Sequence, residues 1–253
     1  MIMKALRSLF IALLTSGIVV FVACETTPLG PNEIGGDSNL ELTKVGGEFI
    51  ANLSMDSWVP AFDHMKDTAI ITKSENGNVT IGVKVGFDTV LTNAIDSIFG
   101  TKALPQPVRA AIIDKYVKMF GITLDTTDKQ KMHLAFDLKM KVTSEGIQEY
   151  MSGGGNFSNP FTIVKYSANV GDKYEFTNTD GIKVTRTVVS KSTTDDYYMG
   201  FWLIKVIQVE QTQDDPLLEK ITYVTNHKFG LVGVIVETKN GKSVKLSLIP
   251  PNG

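Results

Sequence analysis

The 253-residue chain has a single cysteine, Cys24. That excludes an internal disulfide framework and any metal site built from several thiolates. Its three histidines, His64, His133 and His227, stand far apart, so no His-x-His or His-Glu-x-x-His spacing sets two imidazoles on one metal. A strong charge of either sign is also missing. Twenty-five basic residues face 27 acidic ones, a formal net charge of -2, so no basic field points to nucleic acid. There is no Gly-x-Ser-x-Gly elbow and no Asp-x-Asp-x-Asp-Gly calcium loop. Gly153-Gly154-Gly155 lacks the lysine and helix that would make it a phosphate cradle. What is present is 43% hydrophobic and 21% charged residues, which excludes general disorder and supplies a sizeable core.

The first residues read as an address. Lys4 and Arg7 make a short positive start, Leu9 to Val22 is mostly apolar, and Ala23-Cys24 follows. This is the anatomy of a secretory signal. From Leu9 to Cys24 the run is shorter than the ~20 residues that a spanning helix needs. Phe21-Val22-Ala23-Cys24 resembles the lipobox of bacterial lipoproteins, with Phe21 in place of the aliphatic residue that family prefers. The resemblance implies a signal peptide over residues 1–23, a lipid on Cys24, and a place in the bacterial cell envelope at the outer membrane. Losing Lys4 and Arg7 would take the charge from -2 to -4, so the lipid rather than charge would hold the chain to a membrane. Residues 24–39, with Pro28, Gly30, Pro31, Gly35 and Gly36, read as a flexible tether with a reach of about 20 Å.

Residues 40–253 form the folded part, with a candidate sub-boundary at 151–160. Its patterning is mostly period two. Asn76-Gly77, Asp180-Gly181 and Asn240-Gly241 punctuate it as hairpin turns. Over Met132 to Val142, Met132, Leu134, Phe136, Leu138, Met140 and Val142 alternate with the polar His133, Asp137, Lys139 and Lys141, a strand with one buried face. Two amphipathic helices are predicted between these strands. The first runs from Asp88 to Gly100 and carries Leu91 and Ile95. The second runs from Pro107 to Gly121 and carries Ile112 and Phe120. The expected fold class is therefore α+β: a predominantly antiparallel, curved sheet with two short helices packed against it.

Candidate chemistry is sparse. Asp63-His64, with Asp56 and Ser57 upstream, is the nearest approach to an acid–base cluster, yet adjacent residues on a strand point to opposite faces. The pairs Asp195-Asp196 and Asp214-Asp215 read as solvated turns. Tyr197, Tyr198, Phe201 and Trp202 read as core aromatics. No catalytic residue, metal or cofactor is expected, and the chain is read as a non-enzyme.

Three phrases, Val170-Gly-Asp-Lys-Tyr-Glu-Phe, Val184-Thr-Arg-Thr-Val-Val-Ser and His227-Lys-Phe-Gly-Leu-Val-Gly, are similar to β-rich bacterial envelope lipoproteins. Those resemble the outer-membrane lipoprotein carriers, in which a curved sheet wraps an apolar cavity lidded by helices. The resemblance implies a fold and a cavity, not an activity. The expectation is a lipid-anchored protein that binds or carries an apolar ligand such as a lipid. Met132, Phe136, Leu138, Met140, Leu91, Ile95, Ile112 and Phe120 are its expected lining. The alternative is a structural or assembly lipoprotein that binds another envelope protein through a sheet edge.

Overall fold

The computed structural model describes residues 32–55, 67–87, 105–108, 110–111, 114, 123–125, 132–199 and 202–249. Fifteen strands account for most of them. They are β1 (Glu48–Met55), β2 (Asp67–Glu75), β3 (Asn78–Phe87), β4 (Thr123–Asp125), β5 (Met132–Thr143), β6 (Gly146–Glu149), β7 (Phe161–Lys165) and β8 (Lys173–Thr177). The series continues with β9 (Lys183–Lys191), β10 (Tyr197–Met199), β11 (Trp202–Ile204), β12 (Ile207–Gln213), β13 (Leu218–Asn226), β14 (Gly230–Thr238) and β15 (Ser243–Ile249).

Branched residues at every second position explain the strands, because they fit a pleated, half-buried surface. Val79, Ile81 and Val83 of β3 and Met140 and Val142 of β5 are all buried on one face. The β2–β3 turn carries positive φ at both Asn76 (50°) and Gly77 (80°), the type I′ geometry that Asn-Gly favours.

Thirteen strands form one antiparallel sheet in the order β7-β6-β5-β3-β2-β1-β15-β14-β13-β12-β9-β8, with β4 added to β5. Ile71 of β2 and Val209 of β12 lie far apart in that order yet belong to one buried cluster. The sheet is thus rolled into a nearly closed barrel around its own apolar face. The first and last strands pair in its middle, from Ile50↔Ile249 to Met55↔Val244. The terminal strands of the order are β7 and β8, neighbours in sequence. Loop 150–160 joins β6 to β7, which pair within this same sheet.

Closure at the β7–β8 seam is made by side chains. Lys165 N donates to Tyr174 Oη at 3.1 Å, and the Phe161 and Phe176 rings stack at 4.1 Å. Arg186 of β9 reaches across to the Phe161 and Thr162 carbonyls of β7. The strand β10–β11 hairpin lies on the outer face, where Met199, Ile204 and Val206 bury Val224 and Val232.

The expected α+β class is overturned. The regular secondary structure of the described residues is nearly all strand. Helical backbone occurs at 106–108, 110, 111 and 114, all of them exposed. The expected helix over 88–100 lies outside the described residues, as do Leu91, Ile95, Ile112 and Phe120. The physical reason is the roll of the sheet. A curved sheet that faces itself buries its apolar side without a second layer of helices.

Candidate functional site

Antiparallel order assigns each turn to one end of the barrel. Turns 76–77, 144–145, 166–172 and 227–229 share one end, and turns 178–182, 214–217 and 239–242 share the other. Residues 32–47 cross the first end as a strap. Its start is fixed by the Gln148 Nε2 hydrogen bond to the Asn32 carbonyl and by Ile34, 5% exposed. Asp37 N donates to Ser144 Oγ at 2.9 Å, and Ser144 N donates to the Asp37 carbonyl at 2.8 Å. Gly77 has no room for a side chain, since a Cβ there would sit 3.0 Å from Ser38 and from the Val142 carbonyl. The strap then makes a 3-10 turn, Glu41–Thr43, and joins β2 through Gly46 N to Ile71 O and Ile71 N to Gly47 O, both 2.9 Å.

Beneath this strap lies an apolar pit. Ala69, Ile71, Val79, Ile81, Met140 and Leu248 form its walls and floor, while Leu42 of the strap and Phe229 of the β13–β14 turn close its mouth. The void left inside is about 20 Å³. That is room for one water-sized group, far below the ~300 Å³ of a small-molecule site. The strap therefore acts as a plug in a packed interior.

The other half of the interior is ionic. Arg186, fully buried, sits two residues from Val184 and from Val188 on the inward side of β9. Its Nη2 donates to Glu149 Oε1 at 2.7 Å, Nε to Gln211 Oε1 at 2.8 Å, and Nη1 to the Thr162 carbonyl at 2.9 Å. Its guanidinium lies 4.7 Å from the Phe176 ring centroid and 5.2 Å from that of Tyr223. Glu149 Oε2 accepts from Ser152 N, and Tyr223 Oη donates to Gln211 Oε1. Burial raises the Tyr223 pKa, with the Arg186 charge opposing. Every group in this cluster is engaged with another, so it locks strands together and offers no free nucleophile or base.

The structure places the expected site residues as follows. Met140 lines the pit. Leu138 is buried in the same core, and Phe136 packs half-buried against it. Met132 lies at the start of β5, paired with Phe87. Cys24, Asp56, Ser57, Asp63 and His64 lie outside the described residues. The aspartate pairs have local roles: Asp215, buried, accepts from Leu217 N and Leu218 N, and Asp196 accepts from Ser192 Oγ. Of the aromatic cluster, Tyr197 and Trp202 pack on the outer face of the sheet, while Tyr198 is exposed. Among the described residues no group of three or more His, Cys, Asp or Glu could hold a metal ion. Leu42, Phe229, Arg186 and Glu149 were not foreseen from sequence. The available signal was Arg186 itself, an ionic residue at an inward position of an alternating strand.

No family model matches the chain, and no curated protein matches it. A crystal structure of a Bacteroides fragilis protein, described as exported and of YmcC-like fold, is similar at a TM-score of 0.40 and 6% identity. The match covers 81% of this chain and 95% of that one.

Proposed function

We propose that this chain is a lipoprotein of the bacterial envelope, anchored through Cys24, that binds one apolar chain, such as the acyl chain of a lipid, in the strapped mouth of its barrel. The observation that carries this reading is the pit itself: an almost wholly apolar lining beneath the side chains of Leu42 and Phe229. Plug and ligand are close in energy at the mouth itself. Burying one leucine contributes about 1.5–3 kcal/mol, and a hydrogen bond about 1 kcal/mol net. An acyl segment burying six methylenes gains about 5 kcal/mol, comparable to what the plug and its two bonds to Ile71 supply.

The sheet-edge alternative has less support, because the terminal strand β7 is already tied to the other terminal strand, β8, through Tyr174 and to β9 through Arg186. The test is mass spectrometry of an organic extract from gently purified residues 25–253. A stoichiometric lipid is expected. A blank extract, together with no binding of an apolar fluorescent probe, would overturn the reading and favour a protein-binding role.

A further inference from the structure

We infer that the outward face of the β10–β11 hairpin is a contact surface, and that its partner is a second copy of this chain. The inference is independent of the pit and of a lipid on Cys24.

The hairpin has two unlike faces. Its register pairs Tyr197 with Ile204, Tyr198 with Leu203 and Met199 with Trp202. Alternation turns Tyr197, Met199, Trp202 and Ile204 onto the barrel, where they pack with Val224 and Val232. The Lys245 ammonium, 5.2 Å from the Tyr197 ring centroid, helps to seat the hairpin there. Tyr198 and Leu203 point the other way, 66% and 53% exposed. One position before Tyr197 and one after Ile204, the same alternation brings Asp196 and Lys205 to the outward face, both exposed. The salt bridges among the described residues include neither of them.

The outward face is thus a square of four side chains. One row is apolar, Tyr198 beside Leu203, and one is ionic, Asp196 beside Lys205. Exposed apolar residues are ordinary on a surface, so it is their arrangement that selects the partner. The square is self-complementary. A two-fold axis running along the strands, between β10 and β11, lays β10 of one copy on β11 of the other. Tyr198 then meets Leu203 of the second copy, Asp196 meets Lys205 of the second copy, and each contact is made twice. This is the isologous geometry of a two-fold dimer. A foreign protein would have to bring a matching apolar and ionic pair, whereas a second copy has both by symmetry. Four side chains per copy cover much less than the ~800 Å² per partner of a standard interface, so the dimer is of the weak, transient class.

The experiment is photocrosslinking of the full chain in cells, which captures weak contacts. Tyr198→p-benzoylphenylalanine keeps an aromatic ring at the centre of the face. A product of twice the chain mass is expected, with the crosslink mapped to residues 202–205 of the other copy. Asp196→Lys and Lys205→Asp should each lower its yield by at least about fivefold, because like charges then face each other twice. Two differently tagged chains, one carrying each reversal, should crosslink to one another again when expressed together, since opposite charges are restored across the axis and not within either chain. No product of double mass, a crosslink mapped elsewhere or to another protein, or a yield indifferent to these reversals overturns the inference.

Discussion

The two ends of the barrel interior solve the same problem by opposite means. Under the strap, Ala69, Ile71, Val79 and Val142 fill the space by apolar contact. Towards the other end, Arg186 and Glu149 fill it with an ion pair whose lone pairs and protons are met by Gln211, Ser152 and backbone carbonyls. Apolar filling is forgiving and locally separable, which suits a mouth that must open. A buried ion pair is stiff, because removing one partner leaves a bare charge in low dielectric. It sits beside the β7–β8 seam, where the sheet lacks a ladder, and joins β9 to β6 and β7, strands that backbone pairing leaves apart. The difference teaches that the seam is closed by chemistry and the mouth by packing.

The sharpest break of this comparison is Glu149→Leu, which strands the Arg186 charge. A loss of about 3–5 kcal/mol is expected in denaturant unfolding. Pairing it with Arg186→Met should recover much of that loss, since volume-matched apolar pairs often replace buried ion pairs without penalty. A double variant as unstable as the sum of the singles would show that the ion pair does not act as a unit. Next in size is Ile71→Ala at the strapped end. Deleting this buried side chain should lower stability by about 2–4 kcal/mol, with no partner substitution able to restore it.

A pH series gives a smaller effect. Burial raises the Tyr166 and Tyr223 pKa values above the ordinary phenol range. A folded-state pKa above the unfolded value contributes stability that is complete below the unfolded pKa of about 10 and is lost as pH climbs towards the folded value. The melting temperature should therefore hold up to about pH 10 and fall beyond it, and Tyr166→Phe should flatten that fall. The smallest effect belongs to the outer face, where Lys220 bridges Glu210 at 2.7 Å and Glu237 at 3.3 Å. Lys220→Ala should change stability by about 1 kcal/mol or less, because such pairs are screened by water.

The strands were legible where alternation and turn chemistry agreed, as at Val79 to Val85 after Asn76-Gly77 and at Met132 to Val142. The closure of the sheet was not. Alternation says that a face is buried and not what buries it, so helices were expected where the sheet covers itself. Arg186 was hidden for a related reason. Its strand reads as alternating, and its partner Glu149 lies 37 residues away on a strand that is paired with neither β8 nor β9. The strap was read as part of a tether because Gly35, Gly36 and Asp37 look like linker residues. Their hold on Ser144 is made largely by backbone groups, which leave little trace in side-chain patterning.

The measurement that bears most directly on the account is a crystal structure with a brominated fatty acid, read by the anomalous signal of bromine. The account places the bromine within the pit walled by Ala69, Ile71, Val79 and Leu248, with Leu42 moved out of the mouth. A bromine bound on the outer face by Tyr198 and Leu203, or none bound at all with Leu42 still seated, would contradict it.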